Sequence, residues 1–362
     1  YAAPVGEVET TVARIWAEVL KLERVGRNDN FFEIGGHSLL VVKVMSLLRQ
    51  LGIETTVTEL FNHPTIESFA ASLRNTSASA PRRGAQRIQE GIQTPLFLVH
   101  DGYGDGLYFS ALAQYLPREL PVYGLPSVPP SEPRLHTMRA MAERMVNLLQ
   151  QVQPAGPYRL AGWSFGGVLA YEIAQVLLDH GHALEFLGLL DAFHPDVNGI
   201  RDNNDRTPET MLMELCEAQR AERSHGRSVP AAFDVPDSNL DFDELFNRYR
   251  ALQVLPENLE QLSAHEARVL CRNLELHGRV MAAYRPRPIG IPVHLFVAGE
   301  RLPGSPVPTA SLGWERCVPA HLIYTRAVTG SHGSMMKPPH ITVLGQRLAE
   351  SLAAAMDLKV CP

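Results

Sequence analysis

The sequence predicts two domains: a small all-α bundle of four helices, then a larger α/β domain. The second is expected to hold a mostly parallel sheet flanked by helices and interrupted by a helical insertion. Three observations carry that expectation. Apolar residues recur at helical spacing through residues 1–75. From residue 93 onward, short apolar runs alternate with amphipathic stretches, the pattern of a sheet covered on both faces. Between them, residues 76–92 are poor in apolar side chains and read as a flexible linker.

Bulk composition narrows the class. The chain has 362 residues, long enough for two domains, with 45% hydrophobic and 20% charged residues. A net charge of -6 offers no support for nucleic-acid binding. The 4 cysteines (Cys216, Cys271, Cys317, Cys361) show no metal or redox spacing, so reduced structural thiols, no metal and a cytoplasmic setting are expected. No apolar run is long enough to span a bilayer, and no signal peptide is recognised. The first residues, Tyr-Ala-Ala-Pro, read as a cut from something longer.

In the first domain, Val8, Val12, Ile15, Trp16, Val19 and Leu20 place one apolar stripe on a helix over Glu7–Leu22. A long polar loop leads to a second helix over Ser38–Leu51, ended by Gly52. A short third element is expected at Thr58–Phe61 before His63-Pro64, and a last helix at Thr65–Leu73. Ser38 opens the second helix after Gly35-Gly36-His37. A plain N-cap is one reading of it. The other is a modification site, because a helix N-terminus favours an attached phosphate.

The second domain starts with a buried strand, Pro95–His100, which runs into the Gly-rich loop Asp101–Gly106. A helix at Leu107–Leu116, a strand at Pro121–Leu125 and a helix at Thr137–Gln151 follow. Then comes the stretch that points to chemistry. Tyr158–Ala161 reads as a strand, Val168–Leu178 as a helix, and Gly162-Trp163-Ser164-Phe165-Gly166-Gly167 as the sharp turn between them. Gly-x-Ser-x-Gly in that setting is a nucleophile elbow. The turn lifts the Ser164 hydroxyl, and the Phe165 N–H opens a helix where a developing oxyanion is favoured. Strand Glu185–Leu190 ends on Asp191. Later strands are expected at Val293–Ala298 and Leu322–Tyr324, and a final helix at Ile341–Met356.

Chemistry in such sheets gathers at the carboxyl ends of strands. Ser164, Asp191 and His332 occupy such ends, in the chain order of α/β-hydrolases. The imidazole would take the serine proton, and the carboxylate would hold the tautomer and stabilise the imidazolium. Glu300, after the Val293–Ala298 strand, competes for the acid position, while His194 and Asp196 lie beyond the strand end. The second oxyanion donor should come from the loop after the first strand, from Gly102 or Tyr103.

Resemblance sharpens both domains. Asp29-Asn30-Phe31-Phe32-Glu33-Ile34-Gly35-Gly36-His37-Ser38-Leu39 resembles the signature of peptidyl carrier proteins of nonribosomal peptide synthetases, with Ile34 where Leu is usual. The resemblance implies that Ser38 carries 4'-phosphopantetheine, attached by a phosphopantetheinyl transferase, and that a peptidyl thioester is held on its thiol. The second domain resembles the type I thioesterases that end such synthetases. The matching positions are Gly162–Gly167, Asp191 and Ser331-His332, with Trp163 where His or Tyr is frequent. That likeness favours Asp191 over Glu300, and Gly102 as the second donor beside Phe165. It makes residues 195–288 a helical lid, with helix-prone stretches at Pro208–Arg223, Phe242–Leu252 and Ser263–Tyr284. It also implies upstream condensation and adenylation domains. The expected activity is release of a peptide through a peptidyl-O-Ser intermediate, by hydrolysis or macrocyclisation. A stand-alone serine esterase with an unrelated helical N-domain, or a non-catalytic docking module, would fit the composition as well.

Overall fold

The structure is a computed structural model. It describes residues 1–362 except 37, 52, 54, 56–58, 61–62, 76–83, 105, 130–131, 198–205, 225–239, 261, 302–308 and 358–362. The chain divides into two compact units: residues 1–80 with 208–271, and residues 81–207 with 272–362.

In the first unit, α1 spans Gly6–Leu20 with Glu7 and Glu9 in its first turn, where the helix dipole favours acids. It ends at Lys21, which is left-handed (φ 55°), while the Leu22 N–H closes on the Ala17 carbonyl at 2.9 Å. α2 spans Ser38–Gln50 and α3 spans Ile66–Asn75. The stripe expected on α1 is the buried one: Val12, Ile15, Trp16 and Val19 pack with Val41, Val44, Leu48, Ile66 and Phe69. Trp16 meets Phe31 edge-on at 4.8 Å, and so anchors the long loop. That loop is held at two more points. The Phe31 N–H donates to the Pro64 carbonyl at 2.7 Å, and Arg27 Nε donates to the buried Glu9 carboxylate at 2.8 Å. The short third element expected at Thr58–Phe61 falls largely outside the described residues; Glu59 and Leu60 are helical.

The insertion supplies α7 at Pro208–Ser224, α8 at Phe242–Ala251, α9 at Glu257–Glu260 and α10 at Ala264–Ala283. Local signals start two of them. Asp241 and Glu244 form a reciprocal capping box on α8. At α10, Ser263 Oγ accepts from the Glu266 N–H at 3.2 Å, and the Ser263 N–H donates to the Glu266 carboxylate at 2.9 Å.

The second unit is built on a 7-stranded sheet in the order β1-β3-β2-β4-β5-β6-β7. The strands are Gln86–Gln89 (β1), Leu96–Val99 (β2), Val122–Leu125 (β3), Tyr158–Trp163 (β4), Leu184–Leu190 (β5), Val293–Ala298 (β6) and Ile323–Val328 (β7). The pairs from β3 through β7 are all parallel; only β1 is antiparallel, on β3. The helices are α4 (Leu107–Ala113), α5 (Met138–Val152), α6 (Phe165–Asp179) and α11 (His340–Asp357). β2, β4 and β5 are nearly all buried, as strands covered on both faces must be. α5 begins where Thr137 caps it, its hydroxyl accepting from the Ala140 N–H at 3.2 Å.

β1 departs from the sequence reading. It lies inside residues 76–92, the stretch expected to be flexible linker. Its residues are Gln-Arg-Ile-Gln, of which only Ile88 is buried. An edge strand needs one apolar contact and one row of backbone partners, and so leaves little hydrophobic signal.

Candidate active site

Ser164 sits between β4 and α6 with φ 56° and ψ -122°, a strained backbone for a residue with a side chain. The turn is possible because glycines surround it. A β-carbon on Gly166 would lie 2.5 Å from the His100 carbonyl oxygen and 2.6 Å from that of Val99. One on Gly162 would collide with the backbone of Gly166 itself. The register puts Trp163 opposite Leu190, so Ser164 and Asp191 leave neighbouring strands side by side.

His332 arrives on the loop after β7. That loop is stiffened by the Ser331 N–H donating to Ser334 Oγ at 2.7 Å and the Met335 N–H to the Ser331 carbonyl at 2.9 Å. Ser164 Oγ lies 3.0 Å from His332 Nε2, and His332 Nδ1 lies 2.8 Å from Asp191 Oδ2. The three residues form one continuous relay across 168 positions of sequence. The Trp163 indole lies against the imidazole, ring centroids 5.4 Å apart.

Asp191 is fully buried, with φ 45°. Burial by itself would raise its carboxyl pKa. The hydrogen bond and charge of His332, the Ala298 N–H at 3.0 Å and the Arg301 guanidinium at 3.2 and 3.3 Å outweigh it, and hold the group below the ordinary value. The rival acid, Glu300, instead uses its backbone N–H on the Gly330 carbonyl and makes no bond to His332 among the described residues. His194 is buried away from the relay. Its Nε2 lies 3.3 Å from Cys317 Sγ, its ring packs edge-on against Trp314, and Asp196 donates its N–H back to it.

The loop after β2 is also resolved by hydrogen bonds. The N–H groups of Tyr103 and Gly104 both donate to Asp101 Oδ1, at 3.0 and 3.1 Å. The Tyr103 N–H is therefore occupied, whereas the Gly102 N–H has no acceptor among the described residues. A β-carbon on Gly102 would stand 3.8 Å from Phe165 Cβ, so the two expected oxyanion residues pack side by side. Behind the loop lie two buried imidazoles. Burial pushes the His100 pKa down to about 3, helped by His277, and the His277 pKa down to about 4. A cavity lined by both rings, Ser127, Arg134 and Asn273 lies on this side, away from the relay.

Sequence reasoning missed Arg301, Asp101, Asn273 and His277. Asp101 could have been found: an Asp-Gly pair after a strand is the signature of an Asx turn. The others act on the site from distant segments and carry no local pattern.

Ser38 is the first residue of α2, whose first turn holds no acidic residue. His37 lies outside the described residues. Gly36 presses on the Phe31 ring and carbonyl, where no side chain would fit. Phosphopantetheine suits such a place: the N-terminus of a 13-residue helix favours a phosphate. Among the described residues no group of His, Cys, Asp and Glu could hold a metal ion, and no helix is long and apolar enough to cross a membrane.

Comparison with known proteins agrees with this arrangement. Residues 94–348 match the thioesterase domain family, and residues 10–73 match the phosphopantetheine attachment site family. A probable non-canonical nonribosomal peptide synthetase, CymA, of Salinispora arenicola (strain CNS-205) is 28% identical over 372 residues, covering 98% of this chain and 4% of that protein. The dimodular nonribosomal peptide synthase of Bacillus subtilis (strain 168) is 35% identical over 189 residues, 51% of this chain and 8% of its own length. This chain thus spans a small part of the synthetases it matches. Among solved structures, a four-domain nonribosomal peptide synthetase bound to AMP and glycine aligns with 97% of this chain and 26% of its own, at 25% identity and TM-score 0.61. The NocB thioesterase domain, in covalent complex with a fluorophosphonate nocardicin G analog, aligns with 72% of this chain and 95% of its own, at 25% identity and TM-score 0.50. The chain belongs to the thioesterase domain family, and ahead of its α/β-hydrolase sheet it carries a phosphopantetheine attachment domain.

Proposed function

We propose that this chain is the terminal part of a nonribosomal peptide synthetase, and that Ser164 takes the finished peptide from the carrier and releases it. The observation that carries the reading is the relay Ser164–His332–Asp191, at 3.0 and 2.8 Å. Attached to Ser38, phosphopantetheine supplies a thiol that holds the peptide as a thioester. Residues 1–75 are the carrier, and the thioesterase sheet begins at Gln86, with the lid over about 195–288.

Ser164 Oγ attacks the thioester carbonyl as His332 Nε2 takes its proton. Asp191 keeps the Nδ1 proton facing itself and stabilises the imidazolium. The N–H groups of Gly102 and Phe165 receive the oxyanion. Collapse breaks the C–S bond, His332 returns the proton to the leaving sulfur, and a peptidyl-O-Ser ester remains. Water, or an amine or hydroxyl of the peptide itself, then gives up a proton to His332 and displaces Ser164. The products are a linear acid or a macrocycle. Upstream condensation and adenylation domains would assemble the peptide, and a phosphopantetheinyl transferase would modify Ser38.

Two mass measurements test this. Coenzyme A with a phosphopantetheinyl transferase should add one phosphopantetheine to the native chain and none to Ser38→Ala. A fluorophosphonate, the reagent class on the NocB domain, should label native protein and leave Ser164→Ala unlabelled. Modification elsewhere than Ser38 and Ser164 would refute the assignment.

A further inference from the structure

The catalytic relay accounts for Ser164, His332 and Asp191, but not for a buried imidazole on the other side of the oxyanion loop. We infer that His277, with Asn273, is a positioning residue for the oxyanion hole, so that the last insertion helix holds the loop in its working shape. This rests on the assignment of Gly102 and Phe165 as oxyanion donors.

The geometry follows peptide plane by peptide plane. In a trans peptide the C=O and the next N–H point in opposite directions, so holding one aims the other. His277 Nδ1–H donates to the Gly102 carbonyl at 2.7 Å. That fixes the plane whose N–H, on Tyr103, turns to Asp101 Oδ1 at 3.0 Å. Asn273 Nδ2 donates to the Tyr103 carbonyl at 2.8 Å and fixes the next plane. The plane before, which carries the Gly102 N–H, has its Asp101 carbonyl held by His100 Nδ1 at 2.9 Å and by the Gly104 N–H at 3.1 Å. Every carbonyl from Asp101 to Gly104 thus accepts from a donor, the last from Ser127 Oγ at 2.7 Å. Among the described residues the Gly102 N–H meets no acceptor.

His277 also touches the second donor. Its ring stacks on the Phe165 ring, 4.4 Å between centroids with planes 13° apart, and lies 5.2 Å from His100. Leu274 completes the seat: its Cδ2 would stand 3.1 Å from a β-carbon placed on Gly102. Residues 273, 274 and 277 lie on one face of α10, one helical turn apart. Tilting or shifting that helix therefore moves both oxyanion donors together. Because rotation of the plane would swing a carbonyl lone pair towards the oxyanion, loss of the His277 donor should slow chemistry rather than weaken binding.

The test compares His277→Phe, which keeps the stack and deletes the donor, with His277→Asn, whose amide N–H stands where Nδ1 stood. Turnover of a short acyl N-acetylcysteamine thioester by the full chain is measured, with thermal melting as the check on folding. His277→Phe should lose about 10- to 100-fold in kcat with KM within about twofold, and His277→Asn should recover most of it. A folded His277→Phe with native kcat, or a His277→Asn no better than it, overturns the inference. Should His277→Phe fail to fold, Asn273→Ala carries the same comparison, and an unchanged kcat there overturns it too. A native chain that no fluorophosphonate labels would instead refute the nucleophile assignment beneath it.

Discussion

Replacing Asp191 by Asn is the most demanding test of the relay. The carboxylate accepts from donors only: Ala298 N–H and Arg301 at Oδ1, His332 Nδ1–H and Arg301 at Oδ2. Asparagine has one oxygen to offer. If that oxygen stays on the buried Ala298 N–H, the amide NH2 faces His332 and forces Nδ1 to accept. The ring proton then sits on Nε2, where it cannot take the proton of Ser164. A wrong tautomer of this kind lowers kcat by about 10⁴, or about 5 kcal/mol at 1.36 kcal/mol per decade. The assay is single-turnover acylation by a thioester, with the melting curve recorded beside it. An Asp191→Asn protein acylated within tenfold of native would refute this use of the carboxylate. The same group makes a pH prediction. Its folded pKa lies below the unfolded value of about 3.9, so its stabilising effect is complete above that pH. It is lost as pH falls through the lower folded value, and the acid limb of a stability profile should flatten in Asp191→Asn.

Further outcomes follow from packing. Gly166→Ala must push against the carbonyls of Val99 and His100, and should cost about 1–3 kcal/mol by denaturant unfolding; an unchanged midpoint would contradict the tight elbow. A chain begun at residue 93 lacks β1 and bares the β3 edge, so it should melt below one begun at residue 81, whereas equal melting would deny β1 a structural role. Tyr284→Phe removes the 2.6 Å hydrogen bond to the buried Glu172 carboxylate and should cost about 1–3 kcal/mol, checked by equilibrium unfolding. Phe31→Ala empties the space beside Trp16, at about 3–5 kcal/mol, and should stop phosphopantetheine transfer to Ser38, read by intact mass.

Much of this molecule was legible as sequence because the signals are local. Trp16 and its neighbours announce α1 through a 3.6-residue period, and Gly162 to Gly167 announce the elbow through one turn's steric demands. Three helices of the insertion follow the helix-prone stretches read from sequence, and two of them start at caps, Asp241–Glu244 and Ser263–Glu266, that the structure shows. β1 was missed because an edge strand draws its stability from backbone pairing with β3, which leaves no compositional trace.

Sequence by itself determined the strained serine and the chain order of Ser164, Asp191 and His332. Only the tertiary structure decided that His332 meets Asp191 and not Glu300, and that the Tyr103 N–H is consumed while that of Gly102 meets no acceptor among the described residues. It alone brought Arg301 and His277 to the site. The contacts of His332 and Arg301 with Asp191, and of His277 with Gly102, join residues a hundred or more positions apart, and hydrogen bonds of that reach are set by how the strands and helices pack, which no local pattern records.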